Sequence, residues 1–244
     1  MDASEYANLE RIETNHWYYS GKRQLVREWI MRVQPPASND VLLDCGAGTG
    51  RFAKEMERFC RVFVLDDHEE SLRLLRTRFD TAQILQLDAG RVPLPDGSTQ
   101  YVTALDVLEH VPGDATVVKE FHRLLAKGGL VVVTVPAGKA LWSDWDVALH
   151  HYRRYSRTQL KAVFPNEDWD IVYLNYTNVV LYPVVWIVRK WRRWFPELHD
   201  AVRSEDRVPV SWINTLLRTL FVGLAKSRAS FPFGVSLLLV ARKR

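Results

Sequence analysis

Five short runs of apolar, largely β-branched residues, at 41–44 (VLLD), 62–65 (VFVL), 84–87 (ILQL), 101–105 (YVTAL) and 130–135 (LVVVTV), lack the polar alternation of a strand wetted on one face. Such strands must be covered on both sides, the situation of a parallel sheet between helical layers. The segments between them supply the layers. Residues 51–59, 69–78 and 115–126 repeat apolar side chains at helical spacing, and Gly128 and Gly129 are expected to stop the third. Strand alternating with helix predicts a doubly wound α/β fold. A helical segment at 9–33 precedes the first strand and cannot continue through Pro35 and Pro36, so it is expected to cover the sheet rather than join it.

The texture changes after the fifth run. Residues 136–157 are rich in Trp, His, Tyr and Arg and read as a loop that carries function. A strand-like stretch follows at 169–174, then two amphipathic helical segments at 178–195 and 210–226, then a closing strand at 235–241. The expected organisation is one domain: a helical cover (1–36), a ligand-binding core (37–136), an active-site loop and strand (137–175), a helical cap insert (176–230) and a last strand (231–244). The two cysteines, Cys45 and Cys60, are too few for a disulfide framework or a four-cysteine zinc site, and read as small core residues in a reducing compartment. The first residues lack the basic start and apolar run of a secretion signal, so a cytoplasmic location is expected. The longest uncharged apolar run, 179–188, has ten residues and contains Pro183, against the roughly 20 that span a bilayer.

Chemistry concentrates where the strands end. Asp44, Cys45, Gly46, Ala47, Gly48, Thr49 and Gly50 leave the first strand and open a helix, so backbone can turn tightly and approach a ligand. A dinucleotide fingerprint would want space just after this loop, where Arg51 stands. Acids recur after later strands: Asp66 and Asp67 after the second, Asp88 after the third, Asp106 after the fourth. Asp66 lies 22 positions beyond Asp44, near the ~20-residue separation that sets a carboxylate on ribose hydroxyls. No basic residue follows it to hold a 2′-phosphate. An acidic, glycine-lined edge suits a ligand with ribose, adenine and a positive centre but no pyrophosphate.

The segments LLDCGAGTG, VFVLDD, QLDAGRVPLPDGS, ALDVLEHV and RLLAKGGLVVVTVP, spanning 41–136 in this order and spacing, resemble the class I S-adenosylmethionine-dependent methyltransferases, in particular the methyltransferase type 11 group. The resemblance implies a seven-stranded Rossmann-like sheet whose last strand closes antiparallel, with the two-helix insert splitting the final hairpin. It implies S-adenosyl-L-methionine as cofactor. Gly46, Gly48 and Gly50 would shape its pocket with Asp44 and Ala47, Asp66 and Asp67 would meet the ribose, Asp88 and the Ala89 amide the adenine, and Asp106 the methionine part.

On the acceptor side, His110 and His151 are the candidate catalytic residues, since an imidazole can take a proton from a hydroxyl or activated carbon. His150 is the alternative within its pair. Trp17, Tyr18 and Tyr19 read either as apolar staples of the N-terminal cover or as part of a cover that closes over the cofactor with Arg23 near its carboxylate. Base methylation on an exocyclic amine would call for an acid or Asn followed by Pro-Pro-aromatic after the fourth strand, where Asp106-Val107-Leu108-Glu109 stand. Asp144 and Asp146 are too few for a catechol-type metal cluster, and no metal ligand is assigned.

The insert carries nine basic and four acidic residues, net +5, in a chain of net +4. Its first helix joins Trp186, Trp191 and Trp194 to Arg189, Lys190, Arg192 and Arg193. That pattern is either a lid packed on its own body or a peripheral membrane contact through 178–195. The expectation is a methyltransferase for a small-molecule, sugar or lipid-linked acceptor, of undetermined oligomeric state. The rivals are an RNA methyltransferase, disfavoured for want of a nucleic-acid module, a cofactor-binding scaffold without turnover, and a nicotinamide dehydrogenase.

Overall fold

The computed structural model describes residues 3–194, 208–227 and 229–244. Seven strands form one sheet in the order β3-β2-β1-β4-β5-β7-β6. They are β1 (Val41–Cys45), β2 (Arg61–Leu65), β3 (Ile84–Leu85), β4 (Thr99–Leu105), β5 (Leu125–Pro136), β6 (Trp169–Thr177) and β7 (Ser236–Lys243). β1 to β5 run parallel, and β7 lies antiparallel between β5 and β6. Cys45 pairs with Leu65 on one side and Ala104 on the other, so β1, β2 and β4 end at nearly one level. Winding reverses between β1 and β4, the position at which open α/β sheets leave a crevice at their carboxyl edge.

Helices cover both faces, as the unalternating strands require. On one face α2 (Trp17–Val33), α3 (Arg51–Met56), α4 (Glu69–Arg76) and α9 (Ser211–Lys226) bury Val26, Ile30, Met56, Leu75 and Val222 against Leu42, Val64, Val132 and Leu238. On the other, α5 (Asp114–Leu124) and α7 (Arg157–Val163) set Phe121, Leu124 and Leu160 against Leu43, Val102, Val133 and Leu239. Cys45 and Cys60 are free and buried.

Several boundaries differ from those the sequence suggests. The segment at 9–33 is two helices, α1 (Ala3–Ile12) and α2, because His16 caps α2 by accepting the Tyr18 amide and Glu13 turns inward. Gly128 and Gly129 do not stop a helix. α5 ends at Leu124, and both glycines lie inside β5, which pairs with β4 from Leu125 onward. Residues 137–157 include a short helix, α6 (Asp144–Ala148), rather than loop alone.

The insert supplies α8 (Tyr182–Trp194) and α9; residue 195, with which the expected first helix closes, lies outside the described residues. α9 packs on α2, where Phe221 sits 5.9 Å from the ring of Trp17 and 5.8 Å from that of Tyr18. α8 is less covered, with Val184, Ile187 and Trp191 each more than half exposed. Among the described residues no helix is long and apolar enough to cross a membrane.

Leu238 is fully buried in the central antiparallel pair. Leu238→Ala is expected to cost about 2–5 kcal/mol and to lower the thermal midpoint by on the order of 10 °C, read by circular dichroism.

Candidate active site

The loop after β1 turns through left-handed backbone at Gly46 (φ 63°) and Gly48 (φ 57°). A Cβ on Gly46 would stand 2.6 Å from Val107 Cγ2, so the loop packs directly on the turn after β4. A Cβ on Gly48 would meet nothing within 4 Å. Bare backbone therefore faces open space at Gly48, which is where a ligand can approach. Ala47 donates its amide to the Leu65 carbonyl (3.0 Å), and Gly50 caps α3.

The loop is held by neighbouring acids. Asp66 accepts the Gly48 amide at 2.9 Å and the His68 amide at 3.0 Å. Glu13, at the break between α1 and α2, accepts from Thr49 Oγ1 (2.6 Å) and Arg51 Nε (3.0 Å). Arg51, bulky where a dinucleotide would need room, thus ties the N-terminal cover to the loop. Asp44 lies buried beneath, accepting from Thr103 Oγ1 at 2.6 Å, and burial pushes its carboxyl up to about 7. Asp67 is exposed at the rim. Asp88 and Ala89 are exposed in a tight turn where Asp88 and Arg91 exchange backbone hydrogen bonds. Tyr6 of α1 stacks 4.8 Å from His68, and burial together with Asp66 and Asp67 raises its phenol pKa. The cover therefore closes over the carboxyl end of β2.

Asp106, in left-handed backbone (φ 59°), joins this edge to a second space. Its carboxylate takes Lys22 Nζ at 2.5 Å and Thr134 Oγ1 at 2.9 Å. Burial would raise the Asp106 pKa, but the Lys22 ammonium outweighs it and holds the group ionised. Beyond Asp106 opens a cavity of about 500 Å³ whose wall includes Tyr19, Lys22, Glu109, His110 and His151, with α8 contributing Val185 and Arg189. Trp17, Tyr18 and Tyr19 all line this cavity, and Trp17 and Tyr18 also pack on Phe221, so the aromatic cluster both staples and lines. Arg23 is turned elsewhere, bonded to Glu55 (2.8 Å) and the Glu13 carbonyl.

The structure brings both candidate histidines together. The His110 and His151 rings meet edge to face at 4.6 Å, while His150 faces outward. His151 Nδ1 lies 2.9 Å from Asp146 Oδ1, and Asp146 also receives Arg154 Nε at 2.6 Å and the Ser143 amide at 2.9 Å. Burial alone would raise the Asp146 pKa, yet the His151 hydrogen bond and the Arg154 charge bring it down to about 2. An ionised Asp146 fixes the proton on Nδ1 and leaves Nε2 available to the cavity. Burial, with His151 adding to it, pushes His110 down to about 4. Glu109 is fully buried, neither of its carboxylate oxygens has a hydrogen-bond partner, and burial followed by the nearby Asp106 charge raises its pKa well above the usual range. Lys22, Glu109 and Asp146 escaped assignment from sequence. Lys22 meets Asp106 across 84 positions and Glu109 has no hydrogen-bond partner to betray it, whereas Asp146 lies near His151 in the chain and shares with Ser143 the spacing of a capping box.

The family described as methyltransferase domain matches residues 43–133, the stretch that builds this edge. Over that stretch the chain is similar to the class I S-adenosylmethionine-dependent methyltransferases. A Mycolicibacterium smegmatis protein named as an S-adenosylmethionine-dependent methyltransferase is 31% identical over 163 residues, 65% of this chain and 61% of that one. A Mycobacterium tuberculosis protein with the same description is 28% identical over 123 residues, half of this chain and 43% of that one, so the chain spans about half the length of these relatives. Among solved structures, an S-adenosylmethionine-dependent methyltransferase from Thermotoga maritima superposes with a TM-score of 0.62 at 17% identity, covering 99% of this chain and 95% of that one. The family's cofactor, S-adenosyl-L-methionine, suits the residues present: an open glycine backbone at Gly48, with carboxylates at Asp66 and Asp106 for hydroxyl and cationic groups.

Because the Asp146 pKa is depressed from 3.8 to about 2, the stability it contributes is present above its ordinary pKa and lost as pH falls through about 2. Asp146→Asn is expected to lower neutral-pH stability by about 3–5 kcal/mol through the orphaned Arg154. It should also flatten the loss between pH 5 and 2, followed by tryptophan fluorescence.

Proposed function

We propose that the protein transfers the methyl group of S-adenosyl-L-methionine to an oxygen of an acceptor with an apolar body, a lipid-linked or similarly greasy small molecule. The observation that carries this reading is the junction at Asp106, where the glycine-lined edge meets a cavity walled by two imidazoles. The cofactor supplies an activated methyl on a sulfonium. What the chain must add is alignment of an acceptor lone pair and exclusion of water.

Lys22 and Asp106 fix the floor between the two spaces, and Tyr19 with α8 closes the sides. His110 and His151 face the acceptor hydroxyl and position it for loss of its proton, with Asp146 orienting His151. An amine acceptor has little use for such a wall, since its lone pair is already nucleophilic. The apolar body finds Leu181 and Val185 of the insert at the cavity mouth.

The outer side of α8 supports a membrane-borne acceptor. Val184, Ile187, Trp191 and Trp194 are exposed, and Lys190 lies 5.0 Å over the ring of Trp186. Apolar and indole surface beside cations is what an interfacial helix presents to anionic headgroups. The protein is therefore expected to sediment with phosphatidylglycerol vesicles and not with phosphatidylcholine ones, and the paired change Ile187→Asp, Trp191→Asp is expected to abolish this. Equal binding to both vesicle types, or none, contradicts the membrane reading.

Transfer itself is tested by incubating the protein with methyl-labelled cofactor and separated lipid, small-molecule and RNA fractions of a cell extract. Label is expected in an apolar hydroxyl-bearing product, and His151→Ala is expected to reduce kcat about 10²–10⁴-fold. Label entering only RNA would overturn the acceptor assignment.

A further inference from the structure

Glu109 is a carboxyl that the fold buries completely and provides with no hydrogen-bond partner. Such a group is costly unless something else satisfies it. Its position identifies what is missing. One ligand atom each of Glu109, His110 and His151 lie within 4.8 Å of one another, on the wall of the acceptor cavity. Three atoms bound to one ion at 2.0–2.2 Å stand about 3.3–3.8 Å apart, so closing this set around an ion draws its atoms together by up to about 1.5 Å, shared among three side chains.

The shell behind the three ligands has the form that metal sites require. A ligating histidine donates its other ring N–H to a carboxylate or a carbonyl, which fixes the tautomer and strengthens the ligand. His151 presents Nδ1 to Asp146 at 2.9 Å, leaving Nε2 as the ligating nitrogen. For His110 the hydrogen-bond partner is the Leu149 backbone. Asp146 is in turn held by Arg154 and the Ser143 amide, so its charge is not free to migrate toward the ion. The third ligand, Glu109, adds the negative charge that two neutral imidazoles lack.

We infer that Glu109, His110 and His151 bind a divalent first-row transition metal ion whose open coordination positions face the acceptor cavity. Two imidazoles with one carboxylate select Mn²⁺ to Zn²⁺ over Mg²⁺ and Ca²⁺, which prefer all-oxygen shells. In the proposed transferase the ion specifies the acceptor as an oxygen ligand, a hydroxyl with or without a neighbouring oxygen to chelate. Coordination would lower the hydroxyl pKa so that its proton passes to water, and the oxygen would form the new O–CH₃ bond as the S–CH₃ bond of the cofactor breaks and S-adenosylhomocysteine leaves. This use of the ion rests on the methyltransferase reading, whereas the binding site itself does not. The sequence assigned no metal ligand because His151 lies 41 positions from His110 and enters through a loop whose course only the fold fixes.

The test is titration of Co²⁺ into the chelator-treated full chain, followed by its visible d–d absorption, with S-adenosylhomocysteine binding measured calorimetrically on the same samples. One equivalent of Co²⁺ is expected to bind and to be displaced by Zn²⁺. The isosteric Glu109→Gln, and separately His151→Ala, should weaken Co²⁺ at least about tenfold while Glu109→Gln leaves the thermal midpoint and S-adenosylhomocysteine affinity unchanged. No stoichiometric Co²⁺ binding, or binding that neither substitution weakens, overturns the site. Loss of S-adenosylhomocysteine binding with metal binding intact would count against the methyltransferase reading alone.

Discussion

Asp66 ties together the two strands on which everything else is built. It leaves β2, accepts the Gly48 amide from the loop after β1, and accepts the His68 amide that begins α4. A carboxylate that accepts two backbone donors holds a glycine loop that would otherwise have many conformations. Glu13 repeats the device from outside, binding Thr49 and Arg51. Between them they keep the Gly48 backbone bare toward open space. The N-terminal helices are therefore part of the binding edge, and Tyr6 on His68 carries that cover across the end of β2.

The second space depends on the first. Gly46 can lie against Val107 only without a side chain, and that contact sets the turn from which Asp106, Glu109 and His110 emerge. Opposite them, Asp146 gathers Arg154, His151 and Ser143 around one buried charge. Removing that charge would leave the buried Arg154 guanidinium without its carboxylate, so Asp146 joins α6 to the loop that carries His151. The insert roofs the result, with α9 anchored on α2 through Phe221 and α8 exposed toward solvent.

The central sheet was readable from residues 41–135 because parallel strands buried on both faces leave continuous apolar runs, and the first four runs are followed by glycine or acid at the same edge. Local signals also located the insert. What could not be read was long-range pairing: Lys22 with Asp106 across 84 positions, or His151 with both Asp146 and His110. The break at 13–16 was hidden because Glu13 and His16 look like ordinary helix residues until the loop they serve is present. Gly128 and Gly129 misled for a related reason, since a glycine pair marks a strand irregularity as readily as a helix end.

The central claim is that the Gly48 edge, held by Asp66, binds the adenosyl cofactor. Calorimetric titration of S-adenosylhomocysteine into the wild-type chain and Asp66→Ala, with NAD as control ligand, tests it most directly. The account predicts micromolar binding to the wild type, loss of at least about tenfold in the variant, equivalent to about 1.4 kcal/mol, and no heat from NAD. A folded wild type that ignores S-adenosylhomocysteine, or that prefers NAD, would contradict it.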